Sequence, residues 1–386
     1  MLDIISSTLL ILIVILISFG VLEVYIHNRS VLNLPIRIHV NGTRGKSSVT
    51  RLIAAGLRES GLKVLAKTTG TTPRVINEFG KDKVIHRLRS ASIGEQVKLM
   101  RSFSYKKPDA IVMECMAVNP QYQWVSEHKI VQSTLSVITN VRADHLDEMG
   151  TTNSEIAYSL SNTIPYNSAC ITSEKDQYPV LEKISKIRQT KISQSDINDI
   201  DKKYLQEFPF LEHPENLSLA LRVCENLGVD RKVALNGMKK TTPDPGALFI
   251  FKLSYKNNCN NFISGFAAND PESTKMVWDL IDQRFDGKKC VFLNTRDDRR
   301  YRTLQLLDLV LKDIRPDMFI IRADNISNLL PKYDVNDIEL KQFSMSATVD
   351  DVVDEIINLD SFNVLGIGNI VGWGEEFLQK IKVYRT

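Results

Sequence analysis

The chain has 386 residues, of which 25% are charged and 43% hydrophobic, and its formal net charge is +3. That length accommodates two globular domains, each with a core, and the balance excludes a disordered or low-complexity polymer. The five cysteines, Cys115, Cys170, Cys224, Cys259 and Cys290, have neither CxxC nor metal-type spacing and read as reduced thiols of a cytosolic compartment.

Residues Ile4 to Leu22 form an uncharged, mostly apolar run of 19, long enough to cross a bilayer as one helix. A cleaved signal peptide is the nearest rival, but Asp3 is the only charge ahead of the run and no small-residue cleavage pattern follows. From His27 to Ala110 there are 17 Lys plus Arg against 5 Asp plus Glu, and no basic residue precedes the span. The positive-inside rule then puts the short N-terminus outside and the bulk of the chain in the cytosol, as a single-pass protein of the cell membrane. The same basic excess suits anionic lipid headgroups or an anionic product.

Beyond this membrane anchor over 1–26, strand-like and helical patterns alternate. Strands are predicted at 36–40, 63–66, 110–113, 135–139 and 169–172, and helices at 154–163 and 215–227, the second stopped by Gly228. The rhythm predicts parallel βα units, an α/β sheet covered by helices. Thr242-Pro243-Asp244-Pro245-Gly246 reads as a hinge. A second α/β series follows, with strands at 262–267, 290–293, 318–321 and 364–367 and helices near 273–283, 303–312 and 349–358. The expected domains are 27–245 and 246–386, with a ligand enclosed between them.

The turn after the first strand is the most informative stretch: Gly42-Thr43-Arg44-Gly45-Lys46-Ser47, leading into helical spacing through Val49, Leu52, Ile53 and Leu57. Glycine-rich backbone entering a helix turns N–H groups toward phosphate oxygens, while a lysine neutralises them and a hydroxyl reaches Mg²⁺. Gly42, Thr43, Arg44, Gly45, Lys46, Ser47 and Ser48 are therefore the expected residues binding ATP or GTP, although Val40 stands where the general P-loop pattern has its first glycine. Glu114, closing strand 110–113, is placed to hold Mg²⁺ directly or through water, and a plain strand-capping role fits its spacing equally. Thr68-Thr69-Gly70-Thr71-Thr72-Pro73 follows another strand and offers hydroxyls and amides. Asn140-Val141-Arg142-Ala143-Asp144-His145-Leu146-Asp147 follows a third. There His145, between carboxylates, suits a metal ligand, an acid–base group or a structural histidine. In the second domain Arg296, Arg299 and Arg300 follow strand 290–293 and suit phosphate or carboxylate contact, or solvated surface.

Taken in this order, the clusters resemble the ATP-dependent Mur ligase superfamily, which includes the peptidoglycan ligases and folylpolyglutamate synthase. His213-Pro214-Glu215-Asn216 resembles the start of that family's adenine-contacting helix, which implies Asn216 as the contact. Lys67-Thr68-Thr69-Gly70-Thr71, Glu114-Cys115-Met116-Ala117-Val118-Asn119-Pro120, Thr163-Ile164-Pro165-Tyr166-Asn167 and Pro243-Asp244-Pro245-Gly246-Ala247 are similar to the poly-γ-glutamate synthase subunit family known as PgsB or CapB. So are Gly265-Phe266-Ala267-Ala268-Asn269-Asp270 and Gly366-Ile367-Gly368-Asn369-Ile370, and the likeness runs over nearly all of 36–372.

The resemblance implies a P-loop, Mur-ligase-like central domain with a mostly parallel sheet and a smaller Rossmann-like C-terminal α/β domain. It implies an amide ligase in which ATP phosphorylates a carboxylate and an amine attacks the acyl phosphate, releasing ADP and phosphate. Lys46, Glu114 and His145 become the catalytic candidates, with Ser47, Glu114 and His145 as Mg²⁺ ligands. The implied substrates are glutamate and a growing poly-γ-glutamate chain. The implied partners are the membrane, a multi-span membrane subunit and an export subunit, and no nucleic acid. A stand-alone Mur or folylpolyglutamate-type ligase and a P-loop kinase are the rival readings. The chain departs from many Mur ligases in two places. It has no lysine between Lys129 and Lys175, where they carry a carboxylated one, and Ala247-Leu248 follow Gly246 where they place an arginine.

Overall fold

The computed structural model describes residues 2–70, 73–87, 92–200, 204–205, 208, 210–243, 248–266, 268, 270–296, 300–324 and 332–386, with backbone alone at Leu2–Ile4, Asp199, Leu211, Leu248 and Arg300. The chain divides into one unit of Met1–Lys202 with Glu212–Pro245 and a second of Lys203–Leu211 with Gly246–Thr386. The hinge expected at Thr242–Gly246 lies, from Asp244 onward, outside the described residues.

The first unit is an eight-stranded sheet in the order β4-β3-β2-β5-β1-β6-β7-β8. Its strands are β1 Ile36–Asn41, β2 Val64–Thr68, β3 Arg74–Ile76, β4 Asp82–Val84, β5 Ala110–Glu114, β6 Leu135–Ile138, β7 Ala169–Thr172 and β8 Lys191–Gln194. The six main strands run parallel, as the alternation of patterns predicts. The departure is the hairpin β3–β4, which pairs antiparallel beyond β2, turning at Asn77–Gly80, where Asn77 Oδ1 accepts from the Phe79 and Lys81 amides. Those strands are three residues each and too short for a periodic signal.

Helix Lys46–Glu59 buries Val49, Leu52, Ile53 and Leu57 completely. Two close approaches fix its neighbours: a Cβ at Gly56 would sit 2.8 Å from Cys224 Sγ, and one at Gly237 would sit 2.4 Å from the Ala55 carbonyl. Helices Pro214–Asn226 and Arg231–Lys239 therefore pack directly on it.

Helix Leu2–Leu32 carries a 28-residue stretch from Ile5 that is long and apolar enough to span a membrane, and its most apolar 18-residue window is unburied. Its last turns behave as part of the first unit. Arg101 pairs with Glu23, His27 Nε2 lies 2.9 Å from the Ile130 carbonyl, and Val31 packs with Leu34, Met100 and Phe103.

The second unit is a seven-stranded sheet in the order β14-β13-β12-β15-β11-β10-β9. Its strands are β9 Phe210–Leu211, β10 Leu248–Tyr255, β11 Asn258–Ser264, β12 Lys288–Asn294, β13 Met318–Arg322, β14 Glu339–Phe343 and β15 Phe362–Gly368. β11 to β15 pair parallel and β9 and β10 antiparallel, the β10–β11 hairpin turning on Lys256 at φ 54°. One face packs on an aromatic group of Phe262, Phe266, Phe292, Trp373 and Phe377. At the C-terminal ends of β12, β13 and β15, Arg322 donates to Asn294 Oδ1 (3.1 Å) and to the Met345 carbonyl and lies 4.3 Å over the Trp373 ring. Asn294 in turn donates to the Asn369 carbonyl (2.7 Å).

Candidate active site

The parallel register sets the site. Val40 lies opposite Glu114 on one side and Asn41 opposite Ile138 on the other, so the ends of β5 and β6 flank the turn leaving β1. This is where the connections diverge to the two sides of β1, the place where open α/β sheets bind ligands.

Two glycines shape the turn. Gly42 has φ +132°, and a Cβ there would lie 2.0 Å from Thr139 Oγ1; Gly45 has φ +80°, and a Cβ there would lie 2.4 Å from Asn216 Oδ1. Asn140 clips the loop: its Oδ1 accepts from Thr43 Oγ1 (2.7 Å) and from the Arg44 amide (3.0 Å), and its carbonyl accepts from the Thr43 amide (3.1 Å). The Arg142 amide donates to Thr43 Oγ1 (2.9 Å), which ties the same segment down again. Lys46, first residue of its helix, arches back so that Nζ donates to the carbonyls of Gly42 (2.6 Å) and Thr43 (3.0 Å).

Glu114 is almost wholly buried and fully engaged. It accepts from Ser47 Oγ (2.8 Å), the Thr69 amide (2.6 Å) and Thr69 Oγ1. Sequence reasoning pairs Ser47 with Glu114 but undervalues the Thr68–Pro73 loop, which supplies two of the three donors; Thr71 and Thr72 lie outside the described residues. Lys67, fully buried, places Nζ 3.5 Å from Glu95, which in turn forms a two-pronged pair with Arg87 (2.7 and 3.0 Å). Burial holds the Lys67 ammonium below its ordinary range, against the pull of Glu95 and Glu114.

His145 stands apart from this knot. It takes the left-handed conformation at φ 46°, its side chain is 54% exposed, and its described ionic neighbour is Asp144 at 3.9 Å, itself 3.8 Å from Arg44. Among the described residues no cluster of three or more His, Cys, Asp and Glu forms a ready metal cage. A hydroxyl and a carboxylate are hard oxygen donors of the kind Mg²⁺ uses when phosphates and water complete its shell, so Ser47 and Glu114 fit that ion.

On the other side of Gly45, Asn216 Nδ2 donates to Glu212 Oε1 (2.8 Å), which also accepts from the His213 amide (3.1 Å). Burial pushes the Glu212 carboxyl up to about 7 against the lowering effect of Asn216, His213 and the Ser48 hydroxyl. Nothing in sequence spacing singles out Glu212. Equally hidden is the ion pair beneath the loop, where His39 Nδ1 meets Glu127 at 2.7 Å with both side chains buried. Burial alone would lower the His39 pKa, but Cys115 and Glu127 raise it to about 9.

In the second unit Arg296 follows the end of β12, whereas Arg299 lies outside the described residues.

Comparison with known proteins gives these elements a family. Residues 40–229 match the Mur ligase middle domain, and 250–383 match the poly-gamma-glutamate synthase CapB C-terminal domain. The chain is 35% identical over 379 residues to PGA synthase CapB of Bacillus subtilis (strain 168), covering 96% of each. It is 34% identical over 375 residues to the capsule biosynthesis protein CapB of Bacillus anthracis, covering 95% of this chain and 81% of that one. E. coli FolC, solved in complex with ADP, shares the fold at a TM-score of 0.63 and 15% identity, over 94% of this chain and 93% of that one. With two domain models matched in sequence and whole-chain relatives above 30% identity, this chain belongs to the CapB family of poly-γ-glutamate synthases, built on the Mur ligase fold.

Proposed function

We propose that this chain is an ATP-dependent amide ligase that extends poly-γ-glutamate, working from a membrane-anchored position with its catalytic units in the cytosol. The observation that carries the reading is the hydrogen bond between Ser47, in the first turn of the phosphate-loop helix, and Glu114, at the end of the neighbouring strand, in a chain of this family.

In this proposal the Gly42–Ser48 backbone and Lys46 bind the β- and γ-phosphates of ATP, with Lys46 Nζ leaving the Gly42 and Thr43 carbonyls to meet them. Ser47 and Glu114 would hold Mg²⁺, which would supply positive charge to the transferring phosphoryl group. Thr69 holds the Glu114 carboxylate in one orientation. A glutamate carboxylate oxygen attacks the γ-phosphorus, ADP leaves, and an acyl phosphate results. The amine of a second glutamate then attacks the acyl carbon, phosphate leaves, and the nitrogen loses its proton. His145 is proposed as a contact to a second metal or to the substrate carboxylate. Helix Leu2–Leu32 is proposed as the anchor, with a multi-span membrane subunit and an export subunit as partners.

The test is incubation of membranes carrying the chain with ATP, Mg²⁺ and labelled glutamate. The expected products are ADP, phosphate and a high-mass, protease-resistant polyanion. A phosphorylated acceptor stable at neutral pH would instead mark a kinase. Release of ADP only with an unrelated small acceptor would mark a stand-alone ligase.

A further inference from the structure

A cavity of about 490 Å³ opens on the first unit, walled by the later turns of helix Lys46–Glu59, the β3–β4 hairpin and the residues that end and follow helix Arg231–Lys239. It is separate from the phosphate loop. Lys46 opens its helix and Arg58 stands in the last turn, so a rise of about 1.5 Å per residue sets them about 18 Å apart.

The charges of this cavity do not balance. Arg51 commits both prongs to Asp82 (3.0 and 2.8 Å), and Arg74 approaches the same carboxylate at 3.6 Å. Lys240 meets Glu59 at 2.5 Å. Among the described residues Arg58 and Lys81 form no ion pair, and Glu78 is the carboxylate left in the lining. Arg58 Nε is buried without an acceptor, and the Thr241 hydroxyl, in the same lining, is a second buried polar atom without a partner. Burial, and after it the Arg51 charge, bring the Arg58 pKa down to about 10 against the pull of Asp82. Gly80, at φ +77°, lets the hairpin turn lie on this guanidinium, since a Cβ there would stand 3.2 Å from Nη1. An enclosed cation with an unmet donor is completed by an anion, which only accepts. The space is that of a small organic ligand and not of a bare ion, and Ala55, Ile76 and Phe79 give it apolar wall for a carbon skeleton.

We propose that this cavity is a holding site for the γ-glutamyl polymer, remote from the reacting atoms, in which Arg58, Lys81 and the Thr241 hydroxyl take carboxylates of a short stretch of the chain while its methylenes lie on the apolar wall. The inference rests on the ligase reading, which makes a polycarboxylate the product, and adds where that product is gripped between additions.

The probe is a fluorescently labelled, γ-linked glutamate pentamer, titrated by anisotropy against the full chain in nanodiscs of neutral phosphatidylcholine, without nucleotide. Wild type is expected to bind it, less tightly as salt rises. Arg58→Gln should weaken binding at least about tenfold, and Lys81→Gln, at an exposed residue, about threefold. Lys46→Ala should leave it unchanged. Glutarate should displace the pentamer, and inorganic phosphate at the same concentration should not. In the polymerising assay Arg58→Gln should give shorter products at an unchanged initial rate of ADP release. Thermal unfolding checks the fold of Arg58→Gln, and if that variant unfolds, Lys81→Gln decides. No pentamer binding by wild type, unchanged affinity in Arg58→Gln, or displacement by phosphate as readily as by glutarate overturns the holding site and leaves the ligase reading standing. Wild-type membranes that release no ADP when given ATP, Mg²⁺ and glutamate overturn the ligase reading, and this inference with it.

Discussion

The two sheets end alike in topology and differently in chemistry. At the C-terminal ends of β1, β5 and β6, polar groups are gathered but exchangeable: Lys46 rests on two loop carbonyls, and Glu114 is held by a hydroxyl, an amide and a second hydroxyl. At the ends of β12, β13 and β15 the groups are consumed. Arg322 is committed to Asn294, the Met345 carbonyl and the Trp373 ring, and Asn294 to the Asn369 carbonyl. The difference teaches that a polar cluster at a sheet's ligand-binding end signals chemistry only when its partners can be traded for a ligand's.

The largest expected break between the two regions is Lys46→Ala. Turnover should fall by about a thousandfold, equivalent to about 4 kcal/mol of lost transition-state stabilisation. Thermal unfolding should move little, because Lys46 packs no core. Unfolding of the chain in place of lost turnover would make the loop structural, like its counterpart in the second unit.

The buried His39–Glu127 pair tests stability within the first unit. Because the His39 pKa is raised in the fold to about 9, its contribution is complete below the unfolded value near 6.5 and disappears as pH rises through about 9. The swing is about 3 kcal/mol. Urea unfolding followed from pH 6 to pH 10 should show it, and His39→Gln should flatten it. A wild-type profile already flat across that window removes the ion pair as a source of stability.

Arg322→Ala should cost the second unit about 2 kcal/mol, from the lost ring contact and the stranded Asn294 and Met345 acceptors. Nucleotide affinity should stay within twofold. A large loss of affinity would show that Arg322 serves the ligand after all and would erase the contrast.

The smallest effect is expected at His145. Its exposure and its distant carboxylate partner make a preformed metal position at this histidine weak, so His145→Ala should change the apparent Mg²⁺ requirement by less than about tenfold, about 1.4 kcal/mol. A hundredfold change would mean that the segment closes on its ligand only during turnover.

Much of this site was legible in the sequence, and for a local reason. A phosphate loop is contiguous, so Gly42, Gly45, Lys46 and Ser47 announce themselves by spacing, and Glu114 and Asn140 by following apolar strands. Partners joined only by the fold do not announce themselves. His39 and Glu127 lie 88 residues apart, and Thr69 and Glu114 lie 45 apart. Glu212 precedes a recognisable helix start, yet no local signal marks it as a buried acceptor for Asn216. The same limit applies to the sheets: the apolar central strands are legible, while the short hairpin β3–β4 and the polar β8 and β14, with exposed residues at both Lys191 and Gln194 and at Glu339, carry no alternating signal.

The N-terminal helix has a mechanical consequence. Its last turns belong to the core, with Val31 beside Leu34 and Phe103 and with Arg101 gripping Glu23, so no slack tether separates the apolar stretch from the first unit. Under the anchoring proposed above, the first unit would be mounted as on a post, at a set height and facing one way relative to the lipid surface. Cutting the chain just before Glu23 should yield a soluble, folded unit, whereas cutting past Leu34 should pull the foundation out with the post.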